Sequence, residues 1–93
     1  MKIEWSAHAL ADLDRFAAFL QRDHPQLSAR IGREIISRTE LLASNPRLGR
    51  RLGDRDEYRE IALSVAGAIY VFQYRIDGER LVMLRVFHFR ESR

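Results

Sequence analysis

The chain contains no cysteine, which excludes disulfides and thiolate-held zinc and is compatible with a reducing compartment. Apart from Lys2, every basic side chain is an arginine. No apolar run approaches the roughly 20 residues of a membrane-spanning helix, and the opening stretch MKIEWSAHAL lacks the apolar centre of a secretory signal. The expectation is a cytoplasmic protein with no membrane contact. No glycine is followed by Gly-Lys-Ser/Thr, so there is no phosphate loop, and no serine has the flanking glycines of a nucleophile elbow. His8, His24 and His88 share no metal-ligand spacing. Neither a metal nor a cofactor is expected.

What is present describes one small globular domain over residues 1–93. Hydrophobic residues make up 46% and charged residues 31%, enough for a single modest core. The net charge of +3 is too small to single out nucleic acid as a partner, but its placement is informative. Residues 1–46 carry six basic and six acidic side chains, and residues 47–93 carry ten and seven, so the excess lies in the second half. Arginine favours planar, bidentate contacts with carboxylate or phosphate.

Lys2 to Trp5 reads as a short strand. Ser6 is a suitable N-cap for a helix from Ala7 to about Asp23, with Ala9, Leu13, Phe16 and Leu20 forming an apolar stripe. Asp12 and Asp14 suit the positive end of its dipole. Pro25 ends this helix by restricting His24. A second helix, from about Gln26 to Ala43, buries Leu27, Ile31, Ile35 and Leu42, and Pro46 ends it. So short a break makes the helices antiparallel neighbours. Pro46 to Glu57 reads as an arginine- and glycine-rich connection, either solvated or contacting phosphate or carboxylate.

Strands are expected at about Tyr58–Val65, Ala68–Arg75 and Leu81–Arg90. The last two are joined by Asp77-Gly78, a strong hairpin signal. Strict alternation puts Ile69, Val71, Gln73, Val82, Leu84, Val86 and His88 on one face. Tyr70, Phe72, Tyr74, Leu81, Met83, Arg85, Phe87 and Phe89 fall on the other. The expectation is that the aliphatic face packs on the helices and that the aromatic face either serves partly for docking or is shielded by loops. The fold class is α+β in the order β-α-α-β-β-β, a helical hairpin on a small, mainly antiparallel sheet.

Metal-free RNA cleavage needs a base for the 2′-hydroxyl, an acid for the leaving oxygen and cations for the phosphate. Arg59, Glu60, Arg85, His88 and Arg90 supply those types, although alternation puts Arg85 and His88 on opposite faces.

The element order, Asn-Pro-Arg-Leu-Gly-Arg at 45–50, Tyr-Arg-Glu-Ile at 58–61, Tyr-Arg-Ile-Asp-Gly at 74–78 and Leu-Arg-Val-Phe-His at 84–88 together resemble the ParE branch of the RelE/ParE toxin superfamily. The resemblance implies a bacterial type II toxin that inhibits DNA gyrase by binding, with no catalytic residues of its own. It also implies a ParD-like antitoxin, with a ribbon-helix-helix end, that neutralises the toxin. Phe16, Phe19, Tyr70, Phe72, Tyr74, Met83 and Arg85 are the expected antitoxin contacts. Arg47, Arg50, Arg51, Arg85, His88, Phe89 and Arg90 are the expected target contacts. The RNA-cutting branch of the superfamily places an arginine where this chain has Ala68 and Ile69, and a C-terminal tyrosine where it offers Phe89. The ribonuclease, and a regulatory relative that only binds its antitoxin, are the alternative expectations.

Overall fold

The computed structural model describes residues 1–91. Ser92 and Arg93, which belong to the C-terminal segment expected to meet a target, lie outside the described residues. The elements are β1 (Lys2–Trp5), α1 (Ala7–Gln21), α2 (Pro25–Ser44), β2 (Arg50–Leu52), β3 (Arg55–Val65), β4 (Ala68–Asp77) and β5 (Arg80–His88). The strands form one sheet in the order β1-β5-β4-β3-β2. β1 runs parallel to β5 and the other pairings are antiparallel. Both helices pack on one face, so the expected class holds.

Local chemistry sets the helix ends. Ser6 Oγ accepts the Ala9 N–H at 3.0 Å and donates to Leu84 O at 2.9 Å, capping α1 and tying it to β5. Pro25 opens α2, where its missing N–H costs nothing. At the other end of α2, the Asn45 N–H reaches Leu41 O and Leu42 O. Ala9 and Phe16 from α1, and Ile31, Ile35 and Leu42 from α2, are buried as the apolar stripes require.

One strand appears where a connection was expected. The segment Pro46–Glu57 contains β2 and the start of β3, which fold back on each other around Gly53 at φ 66°. An edge strand made of arginines has no apolar alternation to reveal it. In the β4–β5 turn Ile76 pairs with Leu81 and Asp77 with Arg80, the longer of the two loops that the Asp77-Gly78 signal allows, with Gly78 (φ 58°) and Glu79 at the tip.

The larger correction concerns the faces of the hairpin. Tyr74 opposes Met83, but Gln73 opposes Arg85, so Leu84 is an extra residue on β5. A single inserted residue exchanges faces for everything beyond it. Val86 and His88 therefore join Tyr70, Phe72, Tyr74, Leu81 and Met83, while Arg85 and Phe87 move to the side of Val71 and Gln73. It is the aromatic face that packs on the helices. Phe72, Tyr74 and Met83 are all 0% exposed. These three expected antitoxin contacts are core residues, because stacking helices on that face removes far more apolar area from water than the aliphatic face offers.

The bulge is held by Asp12, which is only 1% exposed. β1 ends at Trp5, so the outer edge of β5 is unpaired beyond Met83. Asp12 Oδ2 accepts the Val86 N–H at 2.8 Å and Arg85 Nε at 2.9 Å. Its Oδ1 accepts Arg15 Nη1 at 2.7 Å and Arg85 Nη2 at 3.0 Å. The first turn of α1 carries no acid, so Asp12 serves β5 in place of the helix dipole. Burial pushes its carboxyl pKa up, but the hydrogen bonds from Arg85, Arg15 and Val86 outweigh it and hold the value below the usual range.

Two predictions follow from this packing. Phe72→Ala is expected to cost about 3–5 kcal/mol of stability, read by urea unfolding; a loss below about 1 kcal/mol would place Phe72 outside the core. Asp12 has a folded pKa below its unfolded value of about 3.9, so its stabilisation is complete above about pH 4 and fades as pH falls through the folded value. Asp12→Asn is expected to cost about 1–3 kcal/mol at neutral pH, since both arginines keep access to water, and to flatten the acid limb of the stability profile. An unchanged acid limb would contradict this role.

Candidate functional site

The stretch Asn-Pro-Arg-Leu-Gly-Arg at 45–50 is built around two side chains that cross it. Arg59, 8% exposed, donates from Nη1 to Gly49 O at 2.8 Å and Arg47 O at 3.2 Å, and from Nε to Asp56 O at 3.0 Å. The Tyr74 hydroxyl donates to Pro46 O at 2.7 Å and accepts the Gly49 N–H at 2.9 Å. A β-carbon at Gly49 would lie 2.7 Å from that hydroxyl and 2.9 Å from Glu60 O, so only glycine fits. Arg59 is thus spent on backbone carbonyls. Burial raises the Tyr74 pKa and keeps the phenol protonated.

Acids answer most of the surrounding arginines. Arg47 pairs with Asp56 and Arg55 with Glu57. The hydrogen bond from Arg47 lowers the Asp56 pKa. Arg51 is exposed on the edge strand. On the open face of the sheet, Arg50 Nη2 reaches Glu60 Oε2 at 2.6 Å and Gln73 Nε2 reaches Glu60 Oε1 at 2.9 Å. Arg85 stands opposite Gln73 in the register and turns round the free edge of β5 to Asp12.

His88 lies elsewhere. It opposes Tyr70, whose side chain shares the helix-covered face, whereas Gln73, and with it Glu60, faces the other way. The two candidate proton carriers are therefore on opposite faces of the sheet. His88 Nδ1 accepts the Arg90 N–H at 3.2 Å, and the ring meets Tyr70 edge-on at 5.2 Å. Phe89 is 48% exposed, with the Arg90 guanidinium 5.5 Å above its ring.

His88 and Arg90 border a cleft of about 560 Å³ between the helices and the β3–β4 turn. Phe16, Phe19 and Leu20 come from α1, Leu27 and Ile31 from α2, and Ala66, Ala68 and Tyr70 from the hairpin. Phe19 is 83% exposed. Arg15, Arg90 and Glu91 complete the lining; Arg15 Nη2 contacts Glu91 Oε2 at 2.8 Å. Burial, and then the charge of Glu91, raise the Tyr70 pKa, so its phenol is protonated at neutral pH. Chemically the cleft is apolar, with Arg90 exposed at its rim beside the Arg15–Glu91 ion pair.

Of the expected antitoxin contacts, the cleft gathers Phe16, Phe19 and Tyr70; Phe72, Tyr74 and Met83 are buried in the core and do not line it. Of the expected target contacts, Arg47, Arg50 and Arg51 sit around β2, while His88, Phe89 and Arg90 sit at the far end of β5. Sequence reasoning missed Asp12, Arg15 and Glu91. A signal for Asp12 existed: it stands three residues after Ala9 and four before Phe16, on the buried stripe. Among the described residues no group of His, Asp and Glu is placed to hold a metal ion, and no helix is long and apolar enough to cross a membrane.

Residues 3–93 match the ParE toxin of type II toxin–antitoxin systems, the parDE type. The chain is similar to toxin RelE3 of Caulobacter vibrioides, with 33% identity over 91 residues, covering 98% of this chain and 97% of that one. Toxin RelE1 of the same organism is 30% identical over 88 residues, covering 95% and 92%. Among solved structures, the chromosomal ParDE toxin–antitoxin system from P. aeruginosa contains a chain that superposes with a TM-score of 0.70 at 21% identity, covering 95% of each chain. The chain belongs to the ParE toxin family of type II toxin–antitoxin systems, within the RelE/ParE superfamily.

Proposed function

We propose that the protein is a growth-arresting toxin that acts by binding and poisoning DNA gyrase, and that a ParD-like antitoxin neutralises it by seating an amphipathic segment in the α1–α2 cleft. The observation that carries the first half is the separation of Glu60 from His88 across the sheet. General acid–base cleavage needs both proton carriers within hydrogen-bond reach of one substrate. Arg59 and Arg85 are also committed, to backbone carbonyls and to Asp12, so the residue types of a nuclease are present without a shared site. Binding leaves Arg51, Phe89 and Arg90 as exposed groups for a large partner.

The second half rests on the cleft. Apolar walls with the exposed Arg90 guanidinium at the rim suit a helix whose apolar side chains insert and whose carboxylate meets Arg90. A ribosome-dependent ribonuclease is the second reading, supported by the band Arg50–Glu60–Gln73–Arg85 on the open face, where a carboxylate lies among cations.

Purified toxin, gyrase and relaxed plasmid distinguish the two. Linear DNA released by detergent and protease, and abolished by antitoxin, is the expected result. Untouched gyrase together with messages cut on translating ribosomes would overturn the proposal in favour of the ribonuclease.

A further inference from the structure

The β3–β4 turn lines the cleft and contains a strained residue. Val65 pairs with Ala68, so Ala66 and Gly67 form the tip, at φ 50° and 83°. Positive φ at both central residues is the signature of the tight primed hairpin turn, for which asparagine, aspartate or glycine is preferred at the first position. Ala66 is the only non-glycine residue with positive φ among the described residues, and its β-carbon crowds the neighbouring carbonyl there. Local propensity argues against alanine.

The rest of the fold imposes the conformation. Glu34 of α2 accepts the Ala66 N–H, and Arg38 Nε donates to Ser64 O at 2.9 Å, so α2 holds the turn from one side. Ala66 lines the cleft together with Ala68 and Tyr70 of the same hairpin and with Phe16 and Phe19 of α1. Strain that survives at a binding surface is a pointer to function. An asparagine would relieve the backbone, but it would put an amide into the apolar wall.

We propose that Ala66 is a specificity-determining residue of the cleft. Its methyl, retained at a cost in toxin stability, leaves room for one bulky apolar side chain on the antitoxin segment that docks there. The inference rests on the docking reading above. The occupant is an antitoxin segment with a leucine-sized or aromatic anchor against the Ala66–Ala68 wall and a carboxylate one turn away. The apolar lining selects the anchor, and the exposed Arg90 guanidinium selects the carboxylate, since Arg15 is already held by Asp12 and Glu91.

Three toxin variants test it by thermal unfolding and by titration with the cognate antitoxin. Ala66→Gly relieves the strain but deletes the methyl; it is expected to raise Tm by about 4 °C and to weaken binding about fourfold, the worth of one buried methyl contact. Ala66→Asn is expected to raise Tm similarly but weaken binding about tenfold or more, since it buries an unpaired amide. Phe19→Ala, on the exposed lip, is expected to weaken binding. Wild-type affinity in Ala66→Asn, or no gain in Tm for either Ala66 variant, overturns the role of Ala66. If Phe19→Ala also binds like wild type, the docking reading itself falls; if Phe19→Ala binds weakly while Ala66→Asn does not, only the specificity inference falls.

Discussion

A buried carboxylate decides how this sheet is arranged. Asp12 meets β5 where β1 has ended, and its oxygens take up the free Val86 N–H and the guanidiniums of Arg85 and Arg15. An edge strand with an unpaired N–H facing a helix would carry an unsatisfied donor. Supplying an acceptor from α1 makes the extra residue at Leu84 tolerable, and that residue sets the faces of the last third of the hairpin. Val86 and His88 turn toward the helices, and Arg85 turns outward and back to Asp12. The same carboxylate links, through Arg15, to Glu91 at the cleft rim.

The elements that depend on local pattern were legible in the sequence. Ser6, Pro25 and Pro46 marked the helix ends; the stripes Ala9–Phe16 and Ile31–Ile35–Leu42 marked the buried sides; strand positions followed from alternation. The bulge was not legible, because the contact that fixes it joins residues more than seventy positions apart, and period-2 reading has no term for it. From that one gap came the exchanged faces of Arg85, Val86, Phe87 and His88; Phe72, Tyr74 and Met83 were grouped correctly, but which face the helices cover was not legible from alternation. β2 was missed because arginines on an exposed edge look like a loop.

The candidate site divides in the same way. Phe16, Phe19 and Tyr70, expected as antitoxin contacts, meet His88 and Arg90, expected as target contacts, at one cleft. The arginine-rich stretch proved different in kind: Arg59 and Tyr74 pin it from beneath, Gly49 is required for their close approach, and Arg47, Arg50 and Arg55 are answered by acids. Composition alone does not reveal that such a loop is internally neutralised, since pairing depends on the fold-back of β2 onto β3.

The account therefore turns on the register of β4 against β5 beyond Tyr74. Cross-strand proton contacts measured by NMR on the folded toxin test it directly. Contacts of Phe72 with Val86 and of Tyr70 with His88 are the result the account predicts. Contacts of Phe72 with Arg85 and of Tyr70 with Phe87 would mean an unbulged hairpin. That result would put His88 on the same face as Glu60 and contradict the separation on which the binding mechanism rests.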